Sequence, residues 1–155
     1  MPIATPATRA LDELGVTYRL FEHLQPPNSL EEAARARGQA PQQVIRSILF
    51  RHAHEYYVMV LVAGPGQIAW KRVRVHLGVT RLSMATEEEV RAVTGYELGA
   101  VNPFGLPRPV RVLADVSVFR PEEVSLGSGQ RGLAIVMKSA DLRRALTSVE
   151  IGIFA

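Results

Sequence analysis

Val44-Ile-Arg-Ser-Ile-Leu-Phe-Arg51, His52-Ala-His-Glu55 and Tyr56-Tyr-Val-Met-Val-Leu-Val-Ala63 form the stretch on which the fold turns. Two runs rich in β-branched and aromatic residues flank a short polar segment, which predicts a β-hairpin with a turn at 52–55. Gly64-Pro65-Gly66 then breaks the chain.

Helical signals surround this hairpin. On the N-terminal side, Thr5-Pro6 opens a helix that Gly15 stops, predicting helix over 6–14. Val16, Tyr18 and Leu20 alternate with Thr17, Arg19 and Phe21 as a short strand. After the loop from His23 to Asn28, Ser29 and Glu32 form a capping box, and that helix ends at Gly38. Pro41 starts another turn of helix. On the C-terminal side, Trp70, Val73 and Leu77 recur at helical spacing before Gly78, and Arg81–Met84 reads as a short strand. Thr86 and Glu89 are a second capping box on a helix ending at Gly95. Val110–Ala114 and Gly132–Lys138 are strand-like, with a turn region and the glycine-rich Gly127–Gly132 between them. Ser139 is the expected cap of a last helix reaching about Leu146. Helices interleaved with hairpin-forming strands, rather than strict βαβ units, predict an α+β fold: a mixed, mainly antiparallel sheet packed with helices. No repeat, low-complexity tract or linker divides the 155 residues, so one domain over 1–155 is expected.

Composition narrows the chemistry. The chain is 47% apolar and 21% charged, the profile of a globular protein, and a domain of this size buries roughly 70% of its unfolded surface. No apolar run reaches the roughly 20 residues of a membrane span, and the N-terminus lacks an export pattern; a cytoplasmic location without membrane contact is expected. With no cysteine, disulfides, thiolate chemistry and cysteine-bound zinc are excluded. His23, His52, His54 and His76 form no HExxH frame, so neither a metal nor another cofactor is expected. A net charge of +3 and a pI near 9.7 are compatible with a polyanionic partner without requiring one.

Gly95–Pro109 is the most unusual stretch, dense in glycine and proline. Within it, Gly99-Ala-Val-Asn-Pro103 has the composition to turn successive backbone N–H groups one way, forming a nest for a carbonyl or an anion. Gly127–Gly132, which includes Ser128 and Gly129 and has Arg131 beside it, invites the same reading. It fits neither a Walker A loop nor a dinucleotide fingerprint.

Several stretches together resemble the YbaK/EbsC family of freestanding aminoacyl-tRNA deacylases, whose domain is also the editing insertion of bacterial prolyl-tRNA synthetases. They are Phe21-Glu-His23, Ser29–Ala34, Gln43–Leu49, Thr94–Gly105 and Gly127–Leu133, in family order over nearly the whole chain. The resemblance implies the YbaK-type editing-domain fold and metal-independent hydrolysis of the ester in a mischarged tRNA carrying a small amino acid. The 3′ acceptor end of aminoacyl-tRNA is then the partner, with prolyl-tRNA synthetase a further one; the oligomeric state is left open. Gly99–Pro103 matches the family's GxxxP loop, whose amides hold the substrate carbonyl, making Gly99 and Ala100 the expected catalytic element. Val101, Asn102, Pro103, Gly127, Ser128 and Gly129 would line the substrate site, joined by Tyr18, Phe21 and His23. Lys71, Arg72 and Arg74 form a basic cluster suited to the tRNA backbone.

Two departures stand out. The family's hallmark lysine aligns with Arg46, and an acidic position after the Arg-Gly-Leu stretch is Ala134. Arginine stays protonated, so Arg46 fits a role in orienting an ester or phosphate and not one in proton transfer. Two other readings stay open: a binding module that kept the fold but lost turnover with the lysine, and a nucleotide or small-molecule binder using the two glycine-rich loops.

Overall fold

The computed structural model describes residues 4–155. In chain order its elements are α1 (Pro6–Glu13), β1 (Arg19–Glu22), α2 (Leu30–Arg37), β2 (Ile45–Ala53), β3 (Tyr56–Ala63), α3 (Trp70–Leu77), β4 (Ser83–Met84), α4 (Glu87–Thr94), β5 (Arg111–Asp115), β6 (Glu123–Gly127), β7 (Leu133–Lys138), α5 (Ser139–Ala145) and β8 (Glu150–Gly152). Short 3-10 turns occupy Pro41–Gln43 and Val116–Phe119.

The predicted hairpin is the middle of a five-stranded sheet, ordered β4-β2-β3-β5-β8. β2 and β3 pair antiparallel from Ile45↔Ala63, and the turn narrows to His54-Glu55, with Glu55 left-handed at φ 65°. β5 joins β3 in parallel and β8 joins β5 in parallel, while β4 caps the other edge antiparallel. A second sheet, β1-β7-β6, is antiparallel throughout. The mainly antiparallel α+β architecture is therefore present, divided between two sheets.

Burial explains the apolar run of β3. Met59 and Leu61 face the main core, where Leu11, Leu126, Ile135 and Leu142 meet, while Val58 and Val60 face a smaller core with Phe50, Val73, Leu113 and Phe154. A strand covered on both faces loses the polar alternation of a half-exposed one.

The helices start where their caps predict. Thr5 and Thr8 satisfy each other's backbone N–H, Ser29 Oγ accepts from Glu32 N–H at 3.0 Å, and Thr86 and Glu89 form the full reciprocal box. Ser139 is a correction: Lys138 holds the N-cap position of α5, and Ser139 Oγ donates instead to the Pro121 carbonyl at 2.5 Å. The first strand also begins later than expected. Val16 N–H is drawn back to the Leu11 carbonyl at the end of α1, so pairing with β7 starts at Arg19. β6 and β8 are additional strands: β6 pairs with the following β7 across the 127–132 turn, and β8 with β5 from far back in the chain.

The two sheets share the main core, and among the described residues one main-chain bridge joins their ladders. Val44, just before β2, forms a parallel bridge with Ser125 of β6. From that seam the strands part, and the opening between them holds a recess.

Candidate functional site

The recess has a volume of about 460 Å³. One wall is the α2 stripe Leu30, Ala33 and Arg37, spaced i, i+3, i+7. Opposite lie β2 from Val44 to Ile48 and the end of β6 at Leu126 and Gly127. Leu98, Gly99 and Val101 close one end, and His23 stands at the rim with residues 27–29.

The loop over this end is a tight turn. Ala100 N–H donates to the Glu97 carbonyl at 3.1 Å, with Gly99 at the third position and φ +90°. That is the type II geometry that glycine permits. Ala100 is 1% exposed, and its carbonyl accepts from Gly129 N–H at 2.9 Å and Asn102 Nδ2 at 3.3 Å. Asn102 is fully buried and braces the loop, its Oδ1 accepting from Phe104 N–H at 2.9 Å. Tyr96 Oη closes the far side on the Phe104 carbonyl at 2.6 Å. Gly127 lies directly beneath: a Cβ there would stand 2.6 Å from the Val101 carbonyl oxygen. The nest expected at Gly99 and Ala100 is thereby altered, because the turn itself consumes the Ala100 N–H. Gly99 and Val101 line the recess, and their amides have no hydrogen-bond partner among the described residues.

Arg46 stands on β2 opposite Val62. Its Nε donates to the Gly64 carbonyl at 2.9 Å and its Nη2 to that of Gly66, so the Gly-Pro-Gly break after the hairpin positions the guanidinium. Burial lowers its pKa without discharging it at neutral pH. Ser47 Oγ, on the same wall, is buried with no hydrogen-bond partner among the described residues. On β2 the Leu49 carbonyl accepts from Ala85 at the outer edge; antiparallel alternation therefore turns the Ser47 main-chain groups to that edge too.

A second arginine, which sequence reasoning missed, shares the recess. Arg37 Nε donates to His23 Nε2 at 3.0 Å, and its Nη1 donates to Ser125 Oγ at 2.9 Å. Ser125, completely buried, passes its own hydroxyl hydrogen to Gln39 Oε1 at 2.6 Å. Burial brings the Arg37 pKa down to about 10, still well above neutrality. His23 is pushed below its ordinary value, first by burial and then by the adjacent guanidinium. Accepting at Nε2 leaves the ring neutral, with its proton on Nδ1. Neither Arg37 nor Arg46 joins an ion pair among the described residues. A signal did exist: Arg37 falls on the apolar stripe of α2, where a leucine-like residue is the ordinary occupant.

Of the residues expected at the site, Arg46, Gly99, Val101, Gly127 and His23 line the recess together. The others are elsewhere. Tyr18 Oη donates to Asp12 Oδ1 at 2.8 Å, tying β1's approach to α1. Phe21 packs edge-on against the His23 ring, 4.9 Å between centroids, behind the rim. Pro103 borders a different hollow with Leu106 and Val110. Ser128 is buried, its Oγ donating to the Leu133 carbonyl at 2.7 Å and closing the 127–132 turn, and Gly129 backs onto the Tyr96 ring. Lys71, Arg72 and Arg74 lie on α3, with Lys71 and Arg72 bordering a shallow hollow beside Phe154. Ala134 is buried on β7 opposite Phe21. No cluster of three or more histidine, aspartate or glutamate side chains suited to a metal occurs among the described residues, and no helix is long and apolar enough to cross a membrane.

Known proteins are similar to this chain in sequence and fold. The Ser/Thr-tRNA deacylase ProXp-y of Escherichia coli is 25% identical over 138 residues, covering 86% of this chain and 82% of the deacylase. The proline–tRNA ligase of Streptococcus equi is 36% identical over 111 residues; the match takes in 70% of this chain but only 18% of the ligase. A crystal structure described as a candidate trans-editing enzyme for prolyl tRNA synthetase superposes with a TM-score of 0.87 at 25% identity, covering 99% of this chain and 98% of that one. Residues 25–145 match the aminoacyl-tRNA editing domain, and the chain belongs to that family.

Proposed function

We propose that the protein is a trans-editing deacylase that hydrolyses the ester joining a wrong amino acid to the 3′ end of a tRNA. The carrying observation is the recess itself, lined by Gly99 and Val101, whose amides have no hydrogen-bond partner among the described residues, and by Arg46, whose guanidinium is positioned by two carbonyls and joins no ion pair there. In the reading that follows, the Gly99 and Val101 amides hold the ester carbonyl. A water attacks the carbonyl carbon, the developing oxyanion is stabilised by those N–H groups, and the C–O bond to the ribose breaks. The ribose oxygen takes a proton and leaves as a free hydroxyl, with the amino acid released as its carboxylate. A preorganised oxyanion donor is worth roughly 2.7–4 kcal/mol in other enzymes. Arg46, permanently charged, orients the acceptor end instead of carrying a proton. The need for such an activity follows from discrimination energetics, since a synthetase separates small side chains by only about 1–3 kcal/mol per methylene. The kinship with proline–tRNA ligases supports tRNA for proline as substrate and prolyl-tRNA synthetase as the delivering partner, acting in the cytoplasm.

A panel of mischarged tRNAs tests this, with release of labelled amino acid followed against buffer. Release from at least one member is expected. No release, alongside saturable binding of the acceptor end, would leave a binding module. The two carbonyls that occupy Arg46 are the observation favouring that second reading.

A further inference from the structure

The recess has two ends of different character. At one end are the loop amides of Gly99 and Val101; at the other Arg37 sits against Ser125, and Ala33, Val44 and Leu126 between them are apolar. Gly127 lies beneath the loop and Ser125 two residues back along the same strand, about 7 Å at the usual strand rise. That span matches a short acyl side chain plus one hydrogen bond of about 3 Å.

Arg37 has more donors than partners. A guanidinium carries five N–H groups, and among the described residues only two are engaged, on His23 and Ser125. The acid closest along the network, Glu123, is engaged elsewhere: its Oε1 takes Gln39 at 3.1 Å and Arg19 at 3.4 Å. A half-buried cation lacking a carboxylate is costly unless something entering the site completes it. Resting on the deacylase reading above, we propose that Arg37 is the specificity-determining residue of the acyl pocket: its free N–H groups select a short side chain ending in an oxygen. Charge complementarity puts a carboxylate first, a hydroxyl second and a methyl group last. His23 and Ser125 act as positioning residues, fixing the plane of the guanidinium.

RNA minihelices ending in CCA and carrying aspartyl, seryl or alanyl esters test the order through kcat/KM. Loss of a hydrogen bond to a charged group predicts roughly a tenfold to hundredfold preference for the oxygen-bearing esters over alanyl. In Arg37→Leu this preference should collapse to within about threefold, while Arg37→Lys retains the order; thermal melts check that both fold. Alanyl ester as the fastest substrate of the unaltered protein would overturn the assignment, and so would an unchanged order in Arg37→Leu. Equal slowing of all three esters would overturn it as well, moving Arg37 to the terminal phosphate common to every substrate. Amide-linked, non-hydrolysable aspartyl and alanyl analogues, titrated by calorimetry, read the same preference without turnover. A preference there with no hydrolysis of any ester would keep the pocket assignment and sink the deacylase reading alone.

Discussion

Gly127→Ala probes the link between β6 and the loop it supports. The added Cβ would stand 2.6 Å from the Val101 carbonyl oxygen and 2.9 Å from both the carbonyl carbon and oxygen of Ala100. These are main-chain atoms held by the Ala100–Gly129 and Ala100–Glu97 hydrogen bonds, so no flexible side chain can swing aside. To relieve the closest contact to the 3.0–3.4 Å range, the loop must lift by about 0.4–0.8 Å. Overpacking of this kind costs about 1–3 kcal/mol, which for a domain of this size lowers Tm by about 2–12 °C. A reacting group misplaced by 1 Å can lose on the order of 100-fold in rate, so a fall in kcat of at least about tenfold is expected. Single-turnover deacylation, run well below the variant's Tm, separates the two effects. A lowered Tm with an unchanged single-turnover rate would show that the loop is scaffolding and does not hold the acyl group.

Arg46→Ala should lower kcat/KM and cost about 1–3 kcal/mol in denaturant unfolding, because the Gly64 and Gly66 carbonyls lose a charged donor; Arg46→Lys should restore activity, and a silent alanine variant would remove Arg46 from the site. Gly99→Val should also be damaging, through backbone strain at φ +90° worth about 1–3 kcal/mol, since a Cβ there meets only the Arg131 side chain, at 3.6 Å and 4.0 Å; denaturant melts and single-turnover rates on the same variant measure both consequences. Glu89 has its pKa lowered to about 2 by the Thr86 N–H and then the Tyr57 hydroxyl. Its folded value lies below its unfolded one, so its contribution is complete above about pH 4.5 and disappears as pH falls toward 2; Glu89→Gln should flatten that part of the Tm-against-pH curve.

How far the sequence could be read depended on the range of each interaction. Caps and breakers act within four residues, which is why the starts of α1, α2 and α4 and the stops at Gly38, Gly78 and Gly95 were legible. The β2–β3 hairpin was legible for the same reason. β6 was not: Glu-Val-Ser-Leu-Gly looks like a turn until β7 and Val44 supply its partners, and Ser125 gives no local hint of being buried. β8 exists only through parallel pairing with β5, its partners lying 37 residues earlier in the chain. At the site, motif matching reached Arg46, Gly99, Val101 and Gly127, residues anchored to local turns and strands. Ser128 and Asn102 have polar groups that close their own loops. Motif matching passed over Arg37, because an arginine ending a helix ordinarily faces water, and its place on the apolar stripe of α2 gained meaning only with Ser125 as its partner.

The single Val44–Ser125 stitch also bears on how such a recess can diversify. A hollow bounded by strands of one continuous ladder could be widened only by breaking main-chain hydrogen bonds. Here the two banks belong to separate ladders tacked together at the base, with a helix laid across as the third bank. Exchanging residues such as Ala33 or Arg37 can therefore reshape the chamber while every rung of both sheets stays intact.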